Sequence, residues 1–184
     1  DGASSSATIY VKTASPSPVF FSEYAEGGSG YHKYLEIYNS SDIEIDLSGY
    51  AILGNGNGGP FNDTLRFDAN TILASQGVYV IAHAEADPII LAEADKVIAN
   101  PFNNPEGDPD SYIVSFNGDD ARAIAKIEGS EFNVIDIIGT LSGGDPGNGW
   151  DVAGVTDGTT NHTLIRKPAI SFGNADWASS AGTN

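Results

Sequence analysis

Short runs of residues that are either apolar or alternately apolar and polar recur between turn signals along most of this sequence. In YLEIYN (34–39), for example, Leu35 and Ile37 alternate with Glu36 and Tyr38. This period of two predicts β-strands that have one buried side and one side facing water. Several short strands at this spacing indicate an all-β sandwich. The predicted strands are VFFSEY (19–24), YLEIYN (34–39), IEIDLSGYAIL (43–53), GVYVIAH (77–83), SYIVSF (111–116), ARAIAKI (121–127) and FNVIDIIG (132–139).

Two turns in the second half predict how successive strands are connected. Asn117-Gly118 lies between the strands predicted at 111–116 and 121–127. Because a type I′ turn requires positive φ at both central residues, Asn-Gly favours a hairpin there. Glu128-Gly129-Ser130 predicts a second turn, which leads into the strand at 132–139.

One segment departs from the β pattern and predicts a short helix between strands. Asp87 can cap its start, Pro88 suits the first helical position, and residues 89–95 are good helix formers. The stretches at 54–61 and 100–110 are rich in Gly, Pro, Asn or acidic residues and are predicted to be loops.

The chain is expected to form a single domain, as sandwiches of 184 residues commonly do. Residues 1–17, rich in Ser, Ala and Pro, predict a linker or a loosely held first segment, and residues 18–184 the folded domain. The opening DGASSSAT and the absence of Met suggest a processed product or a module excised from a longer parent chain.

The charge balance restricts the partners that the protein can bind. With 25 acidic and 8 basic residues, the formal net charge is −17, which disfavours binding to nucleic acid through charge. No apolar run is long enough to insert in a membrane, and no Cys is present for disulfides or thiol chemistry. The composition is compatible with a secreted or cell-surface protein.

A long ordered series of motifs runs from about Pro18 to the C-terminus. Its members are SEYAEG (22–27), YLEIYN (34–39), IDLSGYAIL (45–53), VIAH (80–83), NGDDARAIAK (117–126), VIDIIG (134–139), DPGNGWDVAG (145–154), HTLIRK (162–167), Gly173 and Trp177. This series resembles the lamin tail domain of bacterial secreted proteins.

This resemblance implies an immunoglobulin-like β-sandwich without the Cys…Trp…Cys pattern of antibody domains. Bacterial modules of this family are typically attached to extracellular nucleases, phosphatases or other hydrolases, or to surface proteins. The family implies no general catalytic residues. The expected function is therefore a non-catalytic accessory module for adhesion, targeting or spacing, with an unknown protein or polysaccharide as partner.

Calcium is the one cofactor for which the sequence offers candidate ligands. Ca²⁺ needs six to eight oxygen ligands, which can be gathered from several loops. The acidic residues embedded in the family-like motifs are the candidates, with hydrogen-bonded roles at turns and strand ends as the alternative. They are Glu23, Glu36, Asp119, Asp120 and Asp136.

Two other classes of function remain open as alternatives. Exposed aromatic rings could stack on sugars in a carbohydrate-binding module, although most would serve in packing. A hydrolase is disfavoured, because no G-x-S-x-G or HExxH motif is present and the three His residues lie in unrelated contexts. The aromatic candidates are Tyr24, Tyr31, Tyr34, Tyr38, Phe61 and Phe102.

Two further groups of residues are assigned structural roles. Trp150, in a turn, and Trp177, expected in a terminal strand, are predicted to close ends of the sandwich. Arg166 and Lys167 are predicted to be partners in internal ion pairs, given the surrounding excess of acids.

Overall fold

The computed structural model describes residues 16–28, 30–101 and 112–182 and shows a sandwich of two main sheets. The first sheet contains, in spatial order, β11 (Thr163–Ile165), β1 (Val19–Glu26), β2 (Lys33–Asn39), β7 (Val78–His83) and β8 (Lys96–Ile98). The second contains β10 (Glu131–Ile138), β9 (Arg122–Glu128), β4 (Tyr50–Gly54) and β5 (Asp63–Arg66). A small third sheet pairs β3 (Ile45–Asp46) with β6 (Ile72–Leu73).

The core lies between the two main sheets and is built from their inward-facing residues. Leu35 and Ile37 of the first sheet belong to the same buried cluster as Ile52 and Ile124 of the second. Neighbouring strands are antiparallel, except that β7 and β8 are parallel and are joined through a short helix. The expected immunoglobulin-like β-sandwich is confirmed.

The period of two predicts burial correctly in β2 but not in the segment that follows it. Burial alternates strictly along β2. The run predicted as one strand over 43–53 is instead divided into β3 and β4 by a 3-10 turn, Leu47–Gly49. Asp46 begins that turn by accepting a hydrogen bond from the Ser48 N–H (2.9 Å), and Ile43 is 69% exposed.

The strand predicted over 111–116 is wrong for residues 112–116, and residue 111 lies outside the described residues. The side chain of Arg122 donates to the carbonyl oxygens of Tyr112 (2.9 Å) and Ile113 (2.8 Å). These two carbonyl oxygens therefore accept hydrogen bonds from a side chain, whereas in a sheet they would accept them from a neighbouring strand. Ile113 and Phe116 are buried in the core without belonging to a sheet.

The hairpin predicted at Asn117-Gly118 is also wrong, because this turn is closed by a side chain and follows no strand. Asp120 accepts a hydrogen bond from the Asn117 N–H (3.0 Å), and its own N–H donates to the Asn117 carbonyl (3.2 Å). Gly118 is required for close packing, since a Cβ there would lie 1.9 Å from Oγ1 of Thr160. The turn at Gly129, by contrast, does connect β9 and β10 and has the positive φ of +65° that favours glycine.

The predicted helix between strands is confirmed as α1 (Pro88–Glu93). Asp87 caps it by accepting a hydrogen bond from the Ile89 N–H (2.9 Å). The expectation that Trp177 lies in a terminal strand is wrong. It begins a second short helix, α2 (Trp177–Ser180), because Asp176 caps a turn there by accepting from the Ala178 N–H (3.1 Å).

Both tryptophans pack against the body of the sandwich. Trp177 contacts the core from α2, and the buried ring of Trp150 covers Gly139. No helix in the described part of the chain is long and apolar enough to span a membrane. Most of the segment predicted at 1–17 (residues 1–15) and most of the loop predicted at 100–110 (residues 102–110) lie outside the described residues.

Candidate functional site

A row of buried polar side chains crosses the first sheet at one end of the sandwich. We call Glu26, Lys33 and His83 the polar row. Glu26 and Lys33 are opposite each other in the register of β1 and β2, and Lys33 Nζ donates to Glu26 Oε1 (2.5 Å). Glu26 Oε2 also accepts a hydrogen bond from the Asn161 backbone N–H. Both charges are thus compensated within the domain.

His83 ends β7 and extends the row beyond Lys33. It is fully buried, and its ring stacks on Tyr31 at 4.2 Å between centroids. The Glu85 N–H donates to His83 Nδ1 (3.1 Å), which places the ring proton on Nε2. Burial lowers the pKa of His83, so the ring is neutral at pH 7. Nε2 has no hydrogen-bond partner among the described residues.

Arg122 lies beside the polar row and is also fully buried. Its guanidinium lies 5.1 Å from the centre of the Phe116 ring. Nζ of Lys33 lies 5.6 Å from the centre of the same ring. The described hydrogen bonds of the guanidinium all go to backbone carbonyls, those of Asn55, Tyr112, Ile113 and Ala121. The cation is therefore occupied in fixing the loop that precedes β9.

The five predicted calcium ligands occupy three separate places. Glu23 and Glu36 are register partners on β1 and β2. Tyr34 Oη donates to Glu23 Oε2 (2.7 Å), and Ser22 Oγ donates to Glu36 Oε1 (2.6 Å). Burial, together with the charge of Glu23, raises the pKa of Glu36, although the hydrogen bond from Ser22 opposes this effect.

Asp119 and Asp120 lie in the turn before β9. Asp120 accepts hydrogen bonds from the backbone N–H groups of Asn57 (2.9 Å) and Asn117 (3.0 Å). Asp119 is buried, and its Oδ1 has no partner among the residues that the structure describes. Burial and the neighbouring Asp120 both raise the pKa of Asp119.

Asp136 is fully buried on β10 and joins distant parts of the chain. It accepts hydrogen bonds from the N–H groups of Phe21 (2.8 Å) and Asn174 (2.8 Å). Arg166 Nη2 donates to both carboxylate oxygens, at 3.1 and 2.9 Å. The prediction that Arg166 takes part in an internal ion pair is confirmed. These three donor groups, which make four hydrogen bonds, give the Asp136 carboxylate a structural role.

The structure brings together Glu23 with Glu36 and Asp119 with Asp120, but not the five acids as one set. Within residues 16–28, 30–101 and 112–182 there is no group of three or more His, Asp or Glu side chains arranged to hold a metal ion. A calcium site at Asp119 and Asp120 would therefore have to recruit backbone oxygens.

The aromatic side chains proposed for sugar binding are mostly engaged in packing. Tyr24 was expected to be exposed, which is wrong: it is buried and stacks on Phe116 at 4.7 Å between centroids. Tyr34 and Tyr38 share one face of β2, but their hydroxyls donate to Glu23 (2.7 Å) and Gln76 (2.5 Å). Tyr31 stacks on His83, Phe61 packs beside a core cluster, and Phe102 lies outside the described residues.

A largely apolar groove follows β11, the strand at one edge of the first sheet. Its volume is about 300 Å³. Side chains from both faces of the strand line it, Leu164 from the core side and Ile165 from the outer side. Its apolar walls include Ile138, Val152, Leu164, Ile165, Ile170 and Trp177. Glu23, Arg166 and Lys167 add charged groups.

Sequence reasoning missed both the polar row and the groove. The opposite charges of Glu26 and Lys33, on either side of the turn between β1 and β2, were the available signal for the first. No local signal could have revealed the groove, because its walls come from segments that are distant along the chain.

Comparison with known proteins assigns the chain to a family. The sequence profile named Lamin Tail Domain matches residues 12–140, which is more than half of the chain. No curated protein sequence matches the chain. The profile match covers β1 to β10 and agrees with the sandwich described above. The chain therefore belongs to the lamin tail domain family, whose members are non-enzymatic immunoglobulin-like domains.

Proposed function

We propose that this domain is a non-catalytic interaction module of a secreted or cell-surface bacterial protein, serving adhesion, targeting or spacing within a longer parent chain. The observation that supports this proposal is how the buried charges are used. Glu26 pairs with Lys33, Asp136 pairs with Arg166, and Arg122 binds backbone carbonyls. These groups hold the fold together and are not available for acid–base or nucleophilic chemistry.

The surface chemistry supports a role in binding that does not involve nucleic acid. A net charge of −17 repels phosphate backbones and favours partners that carry basic groups. The groove beside β11 provides accessible apolar area within this acidic surface. Such a combination suits recognition of another macromolecule.

A binding experiment on the source bacterium tests the proposal directly. The domain, fused to a fluorescent protein, is expected to bind envelope fractions, whereas the fluorescent protein alone is not. Protease treatment of the fraction should abolish binding if the partner is a protein, and periodate should abolish it if the partner is a polysaccharide. Absence of binding to every fraction would contradict an adhesive or targeting role.

A parallel assay tests whether the domain is catalytic. The purified protein is expected to show no turnover of phosphoester or glycoside substrates with Ca²⁺, Mg²⁺ or Zn²⁺. Metal-dependent turnover that disappears in an Asp119→Ala or Asp120→Ala variant would contradict the non-catalytic proposal. Activity that survives in those variants would point to a contaminant or to other residues, which further acid-to-Ala variants would separate.

Calcium binding is a second candidate function, and the buried Asp119 favours it. Its Oδ1 has no partner among the described residues, and the carboxylate of Asp120 is adjacent in sequence. An oxygen left without a hydrogen bond in a buried position is costly, and a cation would compensate it. Polysaccharide binding has weaker support, because the tyrosine hydroxyls on β2 are already bonded within the domain.

A further inference from the structure

We propose that the groove beside β11 binds an extended, basic segment of a partner polypeptide, which adds to the first sheet as a further strand. This inference rests on the proposed interaction function and specifies the surface and the chemical class of the partner. It depends on three features of the described residues: the backbone groups of β11, the apolar walls of the groove and the charge of the domain.

The hydrogen-bond pattern between β1 and β11 determines which backbone groups are available. The Glu26 N–H donates to the His162 carbonyl (3.0 Å), and the Arg166 N–H donates to the Ser22 carbonyl (2.8 Å). In this register Leu164 pairs with Tyr24. Because hydrogen-bonded pairs alternate along an antiparallel ladder, Thr163 and Ile165 direct their N–H and C=O groups away from β1.

These outward groups indicate the kind of ligand that the edge can recognise. Among the described strands, β11 has β1 as its only neighbour, so its other side is a sheet edge. Two donors and two acceptors, spaced two residues apart on one strand, match the backbone of a second extended chain. A small molecule or a sugar ring has no such repeat. A polypeptide segment is therefore the occupant that the edge favours.

The groove supplies space and apolar contact beside these backbone groups. Its lining includes residues from both faces of β11, which shows that the groove lies along the edge of the strand. Ile165 is 69% exposed and Ile170 is 41% exposed, so both offer apolar area that an incoming side chain could cover. An edge strand whose exposed apolar side chains are left uncovered can associate with another chain.

The negative charge of the domain determines which extended segments it attracts to the groove. The domain has a net charge of −17, and Glu23, which is opposite Ile165 in the register, lines the groove. Arg166 is neutralised by Asp136, which leaves Lys167 as the cation in the lining without a described ion pair. A segment with a net positive charge is thus attracted by the field of the whole domain.

A synthetic peptide of about nine residues, alternating Val with Lys and Thr, is the probe for this site. We expect its fluorescence anisotropy to rise with the domain, and we expect much weaker binding of two analogues. One analogue carries Pro at alternate positions and cannot form the ladder. The other replaces Lys with Glu and reverses the charge. Binding of all three peptides alike would overturn the proposal, as would binding of none.

Variants of β11 locate the binding. Ile165→Pro removes an outward N–H without removing a bond to β1, and should weaken binding of the probe by at least about tenfold. Ile165→Ser tests the apolar contact alone. Ile89→Ser is its matched control, because Ile89 is 78% exposed on α1, outside the groove lining. Unchanged affinity in Ile165→Pro would overturn the proposal.

Amide exchange gives a readout that does not depend on the folding of any variant. On binding of the probe to the unaltered domain, exchange of the Thr163 and Ile165 N–H groups should slow. Exchange that stays unchanged there while the peptide binds would show that another surface is used. That result would overturn the edge proposal and leave the interaction function intact, whereas catalytic turnover would contradict the function and not the edge.

Discussion

Asp136 shows how a single buried carboxylate can connect three separate segments of this domain. It receives hydrogen bonds from β1, from the chain after β11 and from the segment before α2. Removing it would leave Nη2 of Arg166 and two backbone N–H groups without their acceptor. We therefore expect Asp136→Ala to lower the free energy of unfolding by about 3–5 kcal/mol, measured by urea denaturation.

The control for this prediction is Asp42→Ala, since Asp42 is exposed. Its effect should stay within about 0.5 kcal/mol. A loss below about 1 kcal/mol in Asp136→Ala would show that the segments are held together by other contacts.

Replacing Glu36 is expected to stabilise the domain, whereas replacing Asp136 is expected to destabilise it. Burial and the charge of Glu23 raise the pKa of Glu36. Because the folded state holds this proton more tightly than the unfolded state, the ionised carboxylate reduces stability at pH 7. This reduction diminishes as the pH falls through the raised pKa and is absent below the pKa of the unfolded chain. Glu36→Gln should therefore raise Tm at pH 7 by about 1–3 °C, as differential scanning calorimetry would measure.

The advantage of Glu36→Gln should shrink as the pH approaches 4. Glutamine can still accept the hydrogen bond from Ser22, so the packing changes little. The exposed Glu44 offers a matched control, and Glu44→Gln should show a smaller change. A lower Tm for Glu36→Gln at pH 7 would mean that the Glu36 carboxylate stabilises the sheet.

Among the elements, the loop at 112–120 depends most on packing at a distance. Gly118 lies against Thr160, and its carbonyl accepts a hydrogen bond from Thr159 Oγ1 (2.6 Å). A methyl group at Gly118 would overlap Thr160, so Gly118→Ala should lower the free energy of unfolding by about 1–3 kcal/mol. Gly49→Ala is the matched control, because no atom lies within 4 Å of its added Cβ. Equal effects of the two substitutions in urea denaturation would contradict the role of Gly118 in packing.

The same loop shows why part of the fold could not be predicted from the sequence. Residues 112–116 have the apolar character of a strand, but the carbonyls that would pair in a sheet are bound by Arg122. The pattern of apolar residues in this loop does not reveal that the side chain of Arg122, on the following strand β9, binds these carbonyls. In contrast, β2 follows from the period of two, and the other long strands follow from apolar runs bounded by turn signals. These other strands are β1, β7, β9 and β10. The two-residue strands β3 and β6 are too short to show any period.

Among the site residues, too, some roles could be predicted from the sequence and others could not. Arg166 could be predicted as an ion-pair partner from the excess of acids, and the structure supplies Asp136 as its partner. In the polar row, the sequence signals only the pair of Glu26 and Lys33. The place of His83 could not be derived, because His83 comes close to Lys33 only once β7 pairs with β2. The sequence identifies which residues can carry charge. Which opposite charge each of them pairs with depends on the order of the strands in the fold.

For the molecule as a whole, the net charge of −17 predicts a dependence of stability on salt. Like charges on a compact domain repel one another, and this repulsion is weaker in the expanded unfolded chain. Salt screens the repulsion, with a Debye length that falls from about 30 Å at 0.01 M to about 8 Å at 0.15 M. Raising NaCl over this range should therefore increase Tm by about 2–5 °C in a scanning calorimeter. A Tm that is unchanged or falls would show that ion pairs outweigh the repulsion.

Calcium can be distinguished from this general screening by comparing salts at equal ionic strength. A cation bound only by the folded domain stabilises it beyond the effect of screening, by an amount that grows with its concentration relative to Kd. If Asp119 and Asp120 bind Ca²⁺, CaCl₂ should raise Tm further than NaCl, and EDTA should reverse the increment. Asp119→Asn and Asp120→Asn should remove the increment, while Asp42→Asn, at an exposed position, should retain it. Coincident melting curves in CaCl₂ and NaCl would contradict calcium binding, and the unpartnered Oδ1 of Asp119 would then require another explanation.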